Sequence, residues 1–324
     1  MRPLIHTLAA AAALCFATAP LQAQPWPNKA LRIIIPFPGA GGAADVTGRL
    51  AGQKLSEALG QPVVIDNRPG AAGIIGADLV AKSTADGYTL LLTTGTMSTT
   101  PYFYKTLPYD TVRDFTPVTM VVRNTGHVLT VTPSLPARSV REFVAYAKTN
   151  PGKLNFGSAG YGNTLHLAAE YFNLLAGIKA THIQYKGTVP ALTDLASGQI
   201  DYFLPDMPTA MPFIQSGRAR PLGTSGLARA KLLPEVPTID EAGIKGFRFY
   251  GWFGLFARGG TPPAVVSRVQ RAVVAAIGDA EIRQRFDELG LEGVGSTSAE
   301  FTKFFAEDRA FYRDLAEKIG AVPQ

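Results

Sequence analysis

The stretch Leu31-Arg32-Ile33-Ile34-Ile35, followed by Pro36-Phe37-Pro38 and Gly39-Ala40-Gly41-Gly42-Ala43-Ala44-Asp45, decides the fold class. A short β-branched apolar run reads as a buried strand, and the prolines and glycines end it. Val46, Leu50, Leu55 and Leu59 then recur at spacings near four, which predicts a helix from Asp45 to Leu59. Pro62 introduces a second strand at Val63-Val64-Ile65. Ile74 to Lys82 reads as another helix, and Tyr88 to Leu92 as a third strand. Strand, helix, strand, helix, strand is the signature of a parallel sheet covered by helices.

The alternation resumes further along. Val128 to Val131, Leu154 to Phe156, Ile183 to Tyr185, Ile200 to Leu204 and Arg220 to Thr224 read as short strands with helices between them. Ser139-Val140-Arg141-Glu142 and Thr297-Ser298-Ala299-Glu300 are capping boxes that open helices. Phe247 to Phe256 is an aromatic stretch, expected in the core. Tyr102, Phe103, Tyr104 and Tyr109 are candidates to line a pocket. No internal repeat or low-complexity linker divides the chain. The expected architecture is α/β with two lobes, the first completed by the C-terminal segment.

Composition narrows the function classes. The chain has 324 residues, with 46% hydrophobic and 17% charged, enough apolar residues for two cores and too few charges for a disordered chain. The formal charge is +6, and the basic residues are scattered rather than clustered, which argues against nucleic-acid binding. Met1 to Ala23 reads as a secretory signal, with Arg2 before an apolar run from Leu8 to Phe16 and Leu21-Gln22-Ala23 as a cleavage site. That run is far short of the ~20 residues needed to span a bilayer. The only cysteine, Cys15, lies inside it. The mature protein is therefore expected to be exported and to use no disulfide or thiolate chemistry.

Two glycine loops carry the candidate chemistry. Gly39 to Asp45 offers backbone amides at a helix start, where an anion is favoured. It also formally satisfies G-x-G-x-x-A, with Asp66 ending the next strand, so a dinucleotide site stays open beside anion capture and a plain structural turn. Pro36-Phe37-Pro38 before the first glycine and the distance to Asp66 weaken the dinucleotide reading. A P-loop is excluded, because no Gly-Lys-Ser/Thr closes the turn. The second loop, Gly157-Ser158-Ala159-Gly160-Tyr161-Gly162-Asn163-Thr164, again lies between a strand and a helix. Two such loops, one per lobe, could hold one small anion across a cleft.

Catalytic patterns are sparse. His127, His166 and His182 are dispersed, and no H-E-x-x-H, G-x-S-x-G or S-x-x-K occurs. His166 with Glu170, and Asp201 with Asp206, read more simply as structural pairs.

Motifs along the whole mature chain resemble the extracytoplasmic solute receptors of tripartite tricarboxylate transporters, the Bug receptors. They include Pro36-Phe37-Pro38 with the glycines, Asn67-Arg68-Pro69-Gly70, Asp86-Gly87-Tyr88-Thr89-Leu90, Leu107-Pro108-Tyr109-Asp110 and Asn150-Pro151-Gly152-Lys153-Leu154-Asn155. Others are Gly157-Ser158 to His166, Tyr185-Lys186-Gly187, Gly198-Gln199-Ile200-Asp201, Leu233-Pro234-Glu235-Val236-Pro237-Thr238 and Trp252-Phe253-Gly254-Leu255. The resemblance implies a two-lobed fold of the type II periplasmic-binding-protein kind with a hinge. Lobe 1 would comprise residues 24–124 and 250–324, and lobe 2 residues 125–249.

It also implies no enzyme activity, no cofactor and no metal. The implied partners are a small carboxylate (a dicarboxylate, an amino acid or an aromatic carboxylate) and the subunits of a membrane transporter, met in the periplasm by a monomer. The implied ligand-binding residues are Phe37, Pro38, Gly39, Ala40, Gly41, Gly42, Thr96, Ser98, Ser158, Ala159, Gly160, Tyr161, Gly162, Asn163, His166 and Asp206. Three features depart from the family pattern. The first loop is one residue longer, Thr100 and Asn163 replace the usual Asn and Thr, and Pro205-Asp206 stands for Asp-Asn, which moves any amino-group contact to Asp206. The alternatives are an exported α/β enzyme acting on a phosphorylated or acyl substrate, and a receptor that signals to a sensor partner.

Overall fold

The computed structural model describes residues 26–39, 42–226 and 228–324. The expected signal segment, Ala40 and Gly41 therefore lie outside the described residues. Eleven strands form two sheets among the described residues. The first holds β1 (Leu31–Ile35), β2 (Val63–Asn67), β3 (Thr89–Thr94), β4 (Phe115–Asn124), β10 (Trp252–Arg258) and β11 (Leu291–Gly293) in the order β11-β4-β10-β3-β1-β2. The second holds β5 (Val128–Val131), β6 (Asn155–Ser158), β7 (Thr181–Gln184), β8 (Tyr202–Phe203) and β9 (Arg220–Thr224) in the order β7-β6-β8-β5-β9. Each sheet with its covering helices makes one lobe.

Both sheets are mixed, with the expected parallel pairing confined in the first sheet to its first three strands. β1 is parallel to β2 and β3 as the strand–helix alternation requires. β10 returns from the second lobe and runs antiparallel to both β3 and β4. β4, ten residues long, escapes a reading by pattern because it contains Pro117, which argues against an interior strand. Pro117 is tolerated at a register shift against β10, beside Phe256.

Helix α1 (Ala43–Leu59) forms where predicted, with Leu55 and Leu59 of the expected stripe buried. Val46 and Leu50 are only partly buried, and the contact with the sheet runs through Thr47, Gly48, Ala51, Gly52 and Leu55. A Cβ on Gly52 would stand 2.9 Å from Ile65 Cδ1, so small residues bring this helix close to the sheet. α1 packs with α8 (Pro263–Gly278) and α9 (Ala280–Glu288) on one side of the first sheet. Helices α2 (Ile74–Ala81) and α10 (Ser298–Lys318) pack on the other. Thr297 and Glu300 make the full capping box of α10. At α4 (Val140–Thr149) only half forms: Ser139 Oγ accepts from Glu142 N at 3.2 Å, while the Glu142 carboxylate takes the Arg138 amide instead.

The chain passes between the sheets twice, after β4 and before β10. There the Asn124 amide donates to the Gly251 carbonyl at 2.9 Å, and the Gly251 amide donates to Asn124 Oδ1 at 2.6 Å. The His127 amide donates to Ser225 Oγ at 2.7 Å, and the Ser225 amide to the His127 carbonyl at 2.8 Å. The two passages are thus stitched to each other. The core of the second lobe also takes in Phe103 and Tyr312, so α3 (Thr96–Phe103) and α10 join both lobes.

Candidate functional site

A cavity of about 310 Å³ opens between the lobes. The first lobe lines it with Phe37, Pro38 and Gly39, then with Gly42, Ala43 and Ala44 at the start of α1, and with Thr94, Trp252 and Phe253 at strand ends. The second lobe contributes Ala159 and Asn163 to Leu165 at the start of α5 (Thr164–Ala176). It adds Gly187 to Pro190 at the start of α6 (Thr188–Ser197), and Asp206 before α7 (Met207–Gln215). The passages between the lobes supply Asn124, His127 and Gly251. At the mouth, a Cβ on Gly187 would lie 3.2 Å from Pro38 Cγ, so the two lobes meet there.

Charge in this cavity is supplied mainly by backbone. Neither α1, preceded by Gly42, nor α6, preceded by Gly187, has a side-chain cap. Their first amides, one set per lobe, border the same space, and each helix start carries about half a positive charge. No lysine or arginine lines the cavity among the described residues. Its titratable side chains are His127 and Asp206. Burial pushes the His127 imidazole down to about 4, with the nearby Pro205 carbonyl opposing the shift. Burial pushes Asp206 up, opposed by hydrogen bonds from the Thr209 hydroxyl and amide.

The residues singled out from sequence fall into three groups. Phe37, Pro38, Gly39, Gly42, Ala159, Asn163 and Asp206 line the cavity. Ala40 and Gly41 lie outside the described residues, and Thr96, Ser98, Ser158, Gly160, Tyr161, Gly162 and His166 do not line it. Asn163 Oδ1 caps α5 by accepting from Leu165 N at 2.8 Å, while its Nδ2 donates to Thr96 Oγ1 at 3.2 Å across the lobes. Ser98 is fully buried beside Asp308. Asp308 accepts from Trp252 Nε1 at 3.0 Å, and burial pushes its carboxyl up to about 6.

Ser158 is buried under the second loop, where its hydroxyl accepts from the Gly160 amide at 3.1 Å and pairs with His182 Nε2 at 2.6 Å. His166 stacks on His182 at 4.0 Å and accepts from the Gly162 amide at 3.2 Å. Burial first, and then His166, push His182 down to about 3. Tyr161 Oη reaches the Val322 carbonyl at 2.9 Å, away from the cavity. Gly160 and Gly162 hold φ of 133° and 69°, the left-handed region that glycine supplies.

Phe103 and its tyrosine neighbours do not line the cavity; Phe103 packs against Gly162, where a Cβ would stand 2.6 Å from its own. Asp201 and Asp206 form no pair, since Asp201 Oδ2 accepts the Asn155 amide at 2.7 Å. No cluster of metal-ligating residues occurs among the described residues. Sequence reasoning missed Thr94, Asn124, His127, the α6 start and Gly251 as lining. Gly187 could have been found as a third glycine opening a helix after a strand. His127 could not, because its neighbour Asp206 is remote in sequence. A second cavity, about 430 Å³, shares Asn124 with the first and is lined by Arg123, Tyr250 and Lys231. Its charges are paired, Arg123 with Glu292 and Arg229 with Glu241, and no candidate loop reaches it.

A family profile described as "Tripartite tricarboxylate transporter family receptor" matches residues 47–321. The chain belongs to this family. Protein BugT of Bordetella pertussis is 34% identical over 94% of this chain and 93% of its own length. The solved structure of Rpa4515 from Rhodopseudomonas palustris with adipate superposes with a TM-score of 0.88 at 35% identity, covering 92% of this chain and all of that one. MatC from Rhodopseudomonas palustris with bound malate gives 0.84 at 30% identity, covering 90% and 99%. The two-lobed fold is thus that of periplasmic binding proteins, and the protein is a solute-binding receptor of the Bug type rather than an enzyme. No described helix is long and apolar enough to cross a membrane.

Proposed function

We propose that this receptor captures a small carboxylate in the periplasm between a lobe of residues 24–124 and 250–324 and a lobe of residues 125–249. It then delivers the ligand to the membrane subunits of a tripartite transporter. The observation that carries the reading is the convergence of two helix starts without side-chain caps, one from each lobe, on a cavity lined among the described residues by no lysine or arginine. A carboxylate would satisfy amides from both lobes at once and favour their closure. Binding shifts the open–closed equilibrium only by its preference for the closed state. Neutral dipoles hold an anion without an ion pair to break, which suits release. The adipate and malate of the two solved relatives support the ligand class.

The test is a thermal-shift screen on protein unfolded, freed of co-purified ligand and refolded. It spans dicarboxylates, tricarboxylates, amino acids, aromatic carboxylates and NAD. A carboxylate at about 100 times its Kd adds roughly 2.7 kcal/mol. A shift with NAD alone would overturn the reading.

A further inference from the structure

We propose that the second cavity, between Arg123 of the first lobe and Arg229 and Lys231 of the second, is an effector site for a small polycarboxylate, and that its occupant favours closure of the lobes on the first ligand. The site goes beyond the function proposed above, while its coupling to the first ligand rests on that carboxylate reading.

At about 430 Å³ the cavity has the size of a small-ligand site, and such sites concentrate where lobes meet. The first lobe supplies Arg123 of β4, Asp287 of α9 and Glu292 of β11. The second supplies Ala228 to Leu232 after β9, where Ala230 and Leu232 pack with Val128 and Met207. Tyr250, from the passage before β10, adds an aromatic face with the Arg123 guanidinium 6.0 Å from its ring centroid.

Three cations and two carboxylates line this cavity, whereas no lysine or arginine lines the first among the described residues. The pairs they form leave donors unused. Arg123 donates one N–H to Glu292 Oε2 at 2.8 Å, and a guanidinium has five. Arg229 donates Nε to Glu241 Oε2 at 3.0 Å and Nη1 to the Pro234 carbonyl at 3.4 Å. Lys231 Nζ stands 3.8 Å from Asp287 Oδ2, beyond hydrogen-bond distance, and its side chain is 87% exposed. Ion pairs this exposed are weak, so a ligand can compete for the cations while Asp287 and Glu292, both more than half exposed, turn to water. One carboxylate would gain a single such contact and still face the two acids. Two or three carboxylates on one apolar frame can meet cations of both lobes at once, and that favours a polycarboxylate.

The lobes touch at the mouth of the first cavity, where a Cβ on Gly187 would lie 3.2 Å from Pro38 Cγ and one on Gly160 3.7 Å from Ala72 Cβ. They touch beside the second cavity too, where a Cβ on Gly290 would lie 3.1 Å from Leu232 Cδ1. The placement of the three cations therefore belongs to the closed arrangement. Rotation of the lobes about the passages would carry Arg229 and Lys231 away from Arg123. An anion that bridges them selects the closed arrangement, and each ligand must then tighten the other by the same factor.

The test is calorimetric titration of the ligand-stripped, refolded full chain with trimesate, phthalate and benzoate, which carry three, two and one carboxylates on the same ring, at equal ionic strength. Trimesate should bind one site per chain, about tenfold or more tighter than benzoate. Lys231→Gln and Arg229→Gln should each weaken trimesate about fivefold, and Asp287→Asn should tighten it by a similar factor. A cooperative melt confirms that each variant is folded. Repeated on the chain saturated with the carboxylate that gives the largest thermal shift, the titration should show trimesate binding about threefold or more tighter.

Trimesate no tighter than benzoate, or unchanged in the folded Lys231→Gln and Arg229→Gln variants, overturns the second site while the carboxylate reading of the first cavity stands. Exclusion of trimesate from the saturated chain would place it in the first cavity and overturns the second site as well. Equal affinity for the stripped and saturated chains overturns the coupling alone. If no acid fills the first cavity, that reading falls and the coupling with it, and the variants still decide the second site.

Discussion

Replacing Asp308 by Asn should stabilise the protein at neutral pH, and the gain should vanish in acid. Asp308 lies under Trp252, a wall of the ligand cavity, and accepts from its indole nitrogen at 3.0 Å. Burial raises this carboxyl from 3.8 to about 6. Such a group binds its proton more tightly folded than unfolded. It therefore costs stability as pH rises from about 4 to about 6, and the full cost persists above that range. At about 1.36 kcal/mol per pKa unit, the ceiling is on the order of 3 kcal/mol. With roughly 2.1 cal/mol/K of unfolding entropy per residue, that is about 5 °C in a chain of this length. Asn keeps an oxygen for the Trp252 indole, and the Ser98 hydroxyl can turn to accept from the new amide.

The assay is the melting temperature of both proteins between about pH 4 and pH 7.5. Subtracting one curve from the other cancels every other titrating group. Asp308→Asn minus wild type should rise by about 4 °C across that range. A difference that is flat or falls with pH would refute the reasoning.

Three other outcomes follow from the packing around the loops. Gly160→Val should abolish ligand-induced stabilisation, because φ of 133° is closed to a β-branched residue. Ser158→Ala, whose hydroxyl braces Gly160 and His182 without lining the cavity, should instead lower Tm by a few degrees and leave affinity within about tenfold; both are read by thermal shift with and without ligand. Gly95→Ala places a Cβ 2.7 Å from Thr164 Cγ2, an overpacking worth about 1–3 kcal/mol. Thr164→Ser removes that methyl, so the double variant should recover at least half the loss in a denaturant cycle, and strictly additive losses would show that the contact is not the cause.

Much of the architecture was legible because the decisive signals are local. The run Leu31 to Ile35 and the glycines after it specify a buried strand and an open helix start without reference to anything distant. The loop from Ser158 to Asn163 does the same in the second lobe. Other features depend on partners far along the chain. The face that α1 buries is set by how close Gly48 and Gly52 allow it to come to the sheet, which outweighs the larger Val46 and Leu50. β4 hides behind Pro117, and its place beside β10 is fixed only once the chain has returned from the second lobe. The same holds for the site. The loops named from sequence border the cavity, while Thr96, Ser98, Ser158 and His166 do not line it. His127 reaches the cavity only because two distant chain passages are bonded together at Ser225.

The central claim is that backbone amides from both lobes hold the charge of a carboxylate. It is tested most directly by calorimetric titration of the ligand-stripped protein with the carboxylate that gives the largest shift in the thermal screen and with its primary amide. The two have nearly equal shape and differ in charge at the bound end. The account predicts one saturable site per chain for the acid and at least a hundredfold weaker binding for the amide. Equal affinities would contradict it.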